Sequence, residues 1–424
     1  MTQHVFIKFW LQLGSLALCL LLPYKVYALT PSCSVDTTSS EVAAWLSEHT
    51  SQHPAVLAAK AAVEASEFQK EAASKPLYNP ELEWATESID ESRTTTIGIS
   101  QTVDWAGRGK AVAKQSLAGL NVSNKQLHVA EQDIAMQLLR ALSEYHTHEE
   151  QQALANQRSQ LMKRFVTLAT LRFVSGDLTQ LDIEQAKLSY AQARFTQTNE
   201  KIGYIQSKQQ LIALIGTEHL SWPAMPLEFP KPRLPGDTAG KVQQLPEMLL
   251  ALAAVELAQA TIKQQLSHSS ANPTFSIQAG KEESADVLGL TFSMPLHVRN
   301  SFKAEISAAN SQMIQAEKQA HSVFRELTRR HDVAVASYRL RREAWLFWRQ
   351  FGAATLSDQI NLLERLWKAG ELSTTDYLAQ LNQALQTKTA AIQQRGQLWK
   401  DWAQWQLATG QIKRCLLTAM GSEK

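Results

Sequence analysis

Two stretches of this 424-residue chain share one form. Phe173 to Asp182 reads FVSGDLTQLD and Trp367 to Asp376 reads WKAGELSTTD, each an aromatic followed at fixed spacing by Gly, an acid, Leu, Ser or Thr, and Asp. They belong to a longer repetition. AAVE at 61–64 recurs at 253–256, Asn79-Pro80 matches Asn272-Pro273, Gly98 matches Gly289, Arg108 matches Arg299, and LIG at 214–216 aligns with ATG at 408–410. The order of landmarks is kept and the offsets stay between 191 and 194 residues. A chain repeated at such a period is expected to fold as two similar halves.

Each half reads alike: a helix of about 25 residues (54–76; 246–268), two short strands, a very long helix, the glycine turn, and a returning helix that ends near a Gly. From Arg108 to Val174 there is no proline, and at ~1.5 Å per residue that run can extend about 100 Å. Leu154, Arg158, Leu161, Phe165 and Leu168 step by three and four, as do Leu356, Ile360, Leu363 and Trp367, which is the a/d seam of a coiled coil. Gly176 and Gly370 then turn the chain, so each motif is the tip of a long helical hairpin. Between the halves, SWPAMPLEFPKPRLPGD (221–237) holds five of the 13 prolines and reads as an extended connector.

The strands alternate with period two. Phe275, Ile277 and Ala279 oppose Thr274, Ser276 and Gln278; Ile97, Ile99, Val103 and Trp105 oppose Thr96, Ser100, Thr102 and Asp104; Leu82 and Trp84 oppose Glu81, Glu83 and Glu87. A transmembrane barrel with an apolar outside and a polar lumen has this pattern, and so does a half-buried soluble sheet. Four strands cannot close on themselves, and open edges are not tolerated in lipid. If these strands span a membrane, several copies share one barrel, with Trp84 and Trp105 suited to its aromatic belt.

The first 28 residues stand apart: an apolar run, FWLQLGSLALCLLL, followed by PYKVYA, with Val26 and Ala28 placed for cleavage after Ala28. Their removal takes away Lys8 and Lys25 and no acid, which leaves basic and acidic residues equal at 40 each. A neutral chain has no electrostatic case for a nucleic-acid partner. Cys33 and Cys415 remain after Cys19 leaves with the signal, either as one disulfide tying the termini or as two thiols.

A signal peptide, two halves, and paired strands feeding enormous helical hairpins resemble the TolC-like outer-membrane factors, the outer membrane efflux protein family. The Asn-Pro pairs, the glycine turns and the duplication carry the likeness over about 40 to 415. NPELEW followed by GISQTVDWAGRGKA looks most like the heavy-metal, CzcC-type branch of the efflux systems with RND-type pumps. The resemblance implies a mainly α chain with a membrane β-barrel portion: four strands per chain, a homotrimer with a 12-stranded barrel, and a periplasmic α-barrel of coiled-coil hairpins. The layout is then 1–28 signal peptide; 29–216 first repeat, with strands about 80–105 and hairpin about 108–215; 217–243 equatorial connector; 244–410 second repeat, with strands about 273–296 and hairpin about 299–408; and 411–424 tail.

The implied activity is a passive exit duct, not an enzyme, with no cofactor and no bound metal. A periplasmic adaptor (membrane fusion protein) and an inner-membrane RND-type pump are the implied partners. Heavy-metal cations are the favoured cargo; drugs or secreted polypeptide, or a scaffold or adaptor role without membrane passage, are the alternatives. Adaptor docking falls on the tips: Arg172, Ser175, Gly176, Asp177 and Leu178, with Arg365, Ala369, Gly370, Glu371 and Leu372. Asp376, and less so Asp182, fall where the family narrows its periplasmic mouth, although Ala379 replaces a second family acid. Surface pairing of both aspartates with basic neighbours is the other reading.

Other signals are weak. GRGK (107–110) lacks the spacing of a phosphate loop, HEEQQ (148–152) lacks the second His of a zinc-protease helix, and Trp399, Trp402 and Trp405 read as packing.

Overall fold

The computed structural model describes residues 37–89, 92–218, 222–232 and 238–411. The signal segment 1–28, Cys33 and Cys415 lie outside the described residues.

A first helix, α1 (Thr37–Gln52), precedes the repeated unit and is not announced by it. Pro54 has no N–H to continue the ladder of α1 and instead starts α2 (Pro54–Ser74), with His53 as N-cap accepting from the Ala55 amide at 3.2 Å. Pro76 forces Lys75 into the extended region, which stops α2 and releases the chain into the strands.

Two strands follow, β1 (Glu81–Ile89) and β2 (Ser92–Thr102), then α3 (Arg108–Val174), a single helix of 67 residues, and the returning α4 (Gln180–Ile215). One short helix, α5 (Thr238–Val242), follows the proline-rich stretch 221–237, within the connector 217–243. The second half repeats the order: α6 (Pro246–His268), β3 (Thr274–Glu282), β4 (Ala285–Ser293), α7 (Lys303–Phe347), α8 (Ala353–Ala369) and α9 (Thr374–Ala408). Unlike α3, the outgoing arm is interrupted by a π-helical turn at Trp348–Gly352. Glycine permits it: a Cβ on Gly352 would lie 2.2 Å from the Trp348 ring.

The four strands form one antiparallel sheet in the order β1-β2-β3-β4, so among the described residues β1 and β4 are open edges. Next to the sheet the helices adjoin in the order α2, α3, α6, α7; next to the glycine turns the order is α4, α3, α9, α7–α8. Two cores hold them. Midway, Leu138, Leu142, Tyr145, Leu211, Tyr338, Leu398, Trp399 and Trp405 pack together. Near the turns, Met162, Phe165, Trp367, Tyr377 and Leu381 form a second cluster. Each such buried large side chain contributes about 2 kcal/mol.

The connector is fastened across the first core by side-chain donors from both halves. His146 Nε2 lies 2.9 Å from the Pro223 carbonyl, Trp399 Nε1 donates to that of Pro226 at 2.9 Å, Arg342 to that of Phe229 at 2.7 Å, and the Tyr338 hydroxyl to that of Pro230 at 2.7 Å.

Candidate functional site

The hairpin tips hold the site residues expected from the sequence, and the sheet holds the strands with alternating polarity. At the first tip, Gly176 sits at φ +83°, the Asp177 amide donates to the Arg172 carbonyl at 2.8 Å and the Gly176 amide to that of Phe173 at 3.1 Å. At the second, Gly370 sits at φ +80°, the Glu371 amide donates to the Leu366 carbonyl at 3.0 Å and the Gly370 amide to that of Trp367 at 3.1 Å. Both are Schellman endings, which need a left-handed residue after the helix. A Cβ on either glycine would meet open space, so the conformation alone requires Gly. Leu178 and Leu372 then fold back onto the tip core.

The Ser/Thr-x-x-Asp of each motif starts the returning helix. The Thr179 amide and hydroxyl donate to Asp182 Oδ2 at 2.9 and 2.6 Å, and the Asp182 amide donates back to Thr179 Oγ1 at 3.3 Å, a capping box. Ser373 and Asp376 share the side-chain half of it, with the Ser373 hydroxyl donating to Asp376 Oδ2 at 2.6 Å and the Asp376 amide donating back at 3.1 Å. The bonds from Thr179 hold the Asp182 carboxyl below the usual aspartate range. Of the two aspartates that the resemblance put at the mouth, Asp182 thus completes the cap of α4 and Asp376 accepts from the Ser373 hydroxyl that caps α9, roles that the Thr/Ser three residues upstream signals.

The tip residues divide into two groups. Ser175 is exposed and bonds the Leu171 carbonyl of its own helix at 2.8 Å. Asp177, Arg365, Ala369 and Glu371 are exposed, and Arg365 makes no ion pair among the described residues. Arg172 is engaged within the chain, donating to the Trp367 and Lys368 carbonyls at 3.1 and 2.5 Å across the two hairpins. Phe165, Trp367 and Tyr377 stack beneath it, with Phe165 4.5 Å from Trp367 and Tyr377 5.3 Å from Trp367.

In the sheet, register aligns the apolar residues into rows. Leu82, Ile99, Ile277 and Leu290 form one row across all four strands; Trp84, Ile97, Ala279 and Leu288 form the next. That face is open: Leu82 is 75% and Trp84 77% exposed, whereas Gly98 and Ser100 on the opposite face are buried. A soluble half-buried sheet has the reverse polarity. The opposite face is polar, with Ser276 donating to Glu83 at 3.2 Å and Thr102 and Thr274 hydroxyls 2.8 Å apart. It carries Glu81, Glu83, Glu87 and Glu282 and no basic side chain within the strands.

Beneath the sheet, the second Asn-Pro pair proves to be a joint. Buried Asn272 accepts from the Ala106 amide at 2.8 Å and donates to Tyr78 and Asp104, each at 3.1 Å. Arg108 caps the end of α6 through the carbonyls of Ser267, His268 and Ser270. The repetition pointed to these positions without revealing that they tie one half to the other.

Among the described residues no group of His, Cys, Asp or Glu is placed to hold a metal ion, and no helix is long and apolar enough to cross a membrane. Glu144 bonds Lys400 at 2.7 Å, and Trp399 and Trp405 are core residues.

Residues 45–217 match the family model described as outer membrane efflux protein. CusC, solved in a study of its folding and transmembrane channel formation, superposes with a TM-score of 0.74 at 13% identity, covering 87% of this chain and 92% of that one. The outer membrane protein VceC of Vibrio cholerae gives 0.69 at 16% identity, covering 87% and 96%. The open state of the MtrE outer membrane channel of Neisseria gonorrhoeae gives 0.73 at 15%, covering 87% and 89%. This chain has the fold of the outer-membrane channels. No curated protein matches it.

Proposed function

We propose that three copies of this chain form the outer-membrane exit duct of a tripartite efflux pump, and that its cargo is heavy-metal cations. The observation that carries the duct is the sheet: its apolar rows face outward, its polar face is turned away from them, and both edge strands are unpaired. A bilayer requires those edges to be paired. Three copies give twelve strands, enough for a polar lumen. The duct performs no chemical step; energy and selection come from an RND-type inner-membrane pump and a periplasmic adaptor seated on the tips.

The cation cargo is favoured by Glu81, Glu83, Glu87 and Glu282, which would line the lumen without a basic counterpart and hold cations near it. Ser175, Asp177, Arg365, Ala369 and Glu371 are the exposed tip side chains available to the adaptor, and a ring of Asp376 would narrow the mouth.

Fractionation tests the duct: a trimer in the outer membrane is expected, and a soluble periplasmic monomer refutes it. Deletion of the gene tests the cargo. Sensitivity to zinc, cobalt, cadmium or copper with unchanged tolerance of dyes supports metal cations; hypersensitivity to dyes with unchanged metal tolerance replaces them with drugs.

A further inference from the structure

The connector marks one side of the helix layer. It is bonded to α3 through His146, to α9 through Trp399 and to α7 through Tyr338 and Arg342. On the duct reading that side is the outer one, because a strap across the other would obstruct the lumen. His128 and Lys110 lie 18 and 36 residues before His146 on α3, five and ten whole turns, and so share its face. Leu117 and Lys114 fall within ~40° of it.

Beneath the sheet, the chemistry of that face changes with depth. Trp105, 71% exposed, continues the apolar alternation of β2, and Leu266, one turn above Lys263 on α6, is exposed as well. Lysines come next. Lys110 stands in the first turn of α3, Lys114 one turn lower, and Lys263 five residues, or ~8 Å, before the end of α6. Acids are held back: α3 carries none from Arg108 until Glu131, and α6 none after Glu256, which lies ~18 Å from its end.

Lys114 and Lys263 line opposite walls of a groove of about 540 Å³ between α3 and α6, with Leu117, Leu120 and Ala260 between them. Glu256, at the lower end of that groove, is already engaged by Asn121 at 3.2 Å. Lys110, Lys114 and Lys263 are exposed, and among the described residues the lysine ion pairs involve none of them. Free lysines are ordinary on a surface that faces water. Their depth here is what matters. With the apolar rows of the sheet in hydrocarbon, the headgroup layer extends ~5–8 Å further, and flexible lysine stems reach up into it.

We propose that Lys110, Lys114 and Lys263 form a binding site for the phosphate headgroup of an anionic phospholipid in the periplasm-facing leaflet. Its acyl chains lie against the apolar face of the sheet. Leu117 and Leu120 in the groove, and Trp105 above it, offer their surface only to a ligand with chains, which selects a lipid over a soluble anion. The site would fix the depth at which the duct sits in the bilayer. It rests on the duct reading and concerns a surface to which that reading gives no role.

The test reconstitutes the full-length trimer in bilayers of phosphatidylglycerol and phosphatidylcholine and reads, with spin-labelled lipids, the relative association of each headgroup. A preference for phosphatidylglycerol of about fivefold at low salt is expected, the effect of one well-placed lysine at a charged membrane surface, and it shrinks at high salt. Lys110→Gln/Lys114→Gln/Lys263→Gln is expected to abolish it, and Lys110→Arg/Lys114→Arg/Lys263→Arg to keep it. Lys187→Gln/Lys201→Gln/Lys388→Gln removes as many exposed charges from helices away from the sheet and is expected to leave it unchanged. Equal association of both lipids with the wild type overturns the site while the duct stands. So does a preference that survives the first triple substitution or falls equally in the last. Loss of the preference to soluble glycerol phosphate also overturns it, since the lysines would then hold free anions. A chain that never enters bilayers as a trimer overturns the duct reading as well.

Discussion

Arg172 of the first hairpin lies over the indole of Trp367 in the second, 5.0 Å from the ring centroid, and donates to the Trp367 carbonyl at 3.1 Å. One side chain thus closes the end of α8 and joins the two tips. Charged donors suit the last carbonyls of a helix, and a guanidinium over Trp adds about 1 kcal/mol.

Replacing Arg172 with Ala is expected to weaken local protection of the α8 end by about 2 kcal/mol, a roughly thirtyfold faster hydrogen exchange there. Arg172→Lys recovers only part, because an ammonium cannot fork to two carbonyls while stacking. Exchange at the midway core, around Leu142 and Leu398, stays unchanged. Equal loosening of both regions would contradict a local clamp.

The tip glycines make a different prediction. With φ near +80° and no neighbour in the way, Gly176→Ala and Gly370→Ala each cost about 1–2 kcal/mol through backbone strain alone. Asparagine at the same positions costs less, since its side chain bonds locally in the left-handed region. Thermal unfolding of the two series reads the order directly, and alanine tolerated as well as glycine would show that the turns relax.

Acid should undo the α4 cap. The folded carboxyl of Asp182 titrates below its ordinary value, so its contribution is complete above about pH 4 and is lost as pH falls through the lower folded value. Asp182→Asn is therefore expected to weaken protection of the first α4 turn by about 1 kcal/mol at pH 7, with the gap to wild type closing toward pH 2. A gap independent of pH would mean that the amide's shape, and not the lost charge, is responsible.

Close packing at mid-height predicts a larger effect. A Cβ on Gly396 would stand 2.2 Å from Thr147 Oγ1, and that hydroxyl is itself bonded to the Ser143 carbonyl at 2.6 Å. Gly396→Leu forces α9 off α3 and is expected to cost about 1–3 kcal/mol. The pair Gly396→Ala with Thr147→Ala should recover part of it, since it removes the hydroxyl that the new Cβ would meet, as measured by melting of the purified protein.

Long-range regularity was legible in the sequence, and local exceptions were not. The absence of proline from Arg108 to Val174 gave α3 its full extent, and period-two alternation gave all four strands, because both signals accumulate over many residues. The polarity of the sheet was ambiguous until register aligned Leu82 with Ile99, Ile277 and Leu290 on an open face. The caps at Thr179 and Ser373 were readable from the Ser/Thr-x-x-Asp spacing. The joint at Asn272 was not, since its partners Tyr78, Asp104 and Ala106 come from the other half. The π-helical turn left only a faint trace, Gly352 four places after Trp348.

The carbonyls of Pro223, Pro226, Phe229 and Pro230, gripped by side chains of α3, α7 and α9, make the connector a cinch around the molecule's middle. Those bonds resist spreading of the helices at that height, so any widening at the glycine turns would come from the lower arms swinging about it. The waist would then be a fulcrum, and a partner at the tips, as proposed above, would act on levers some 40 Å long.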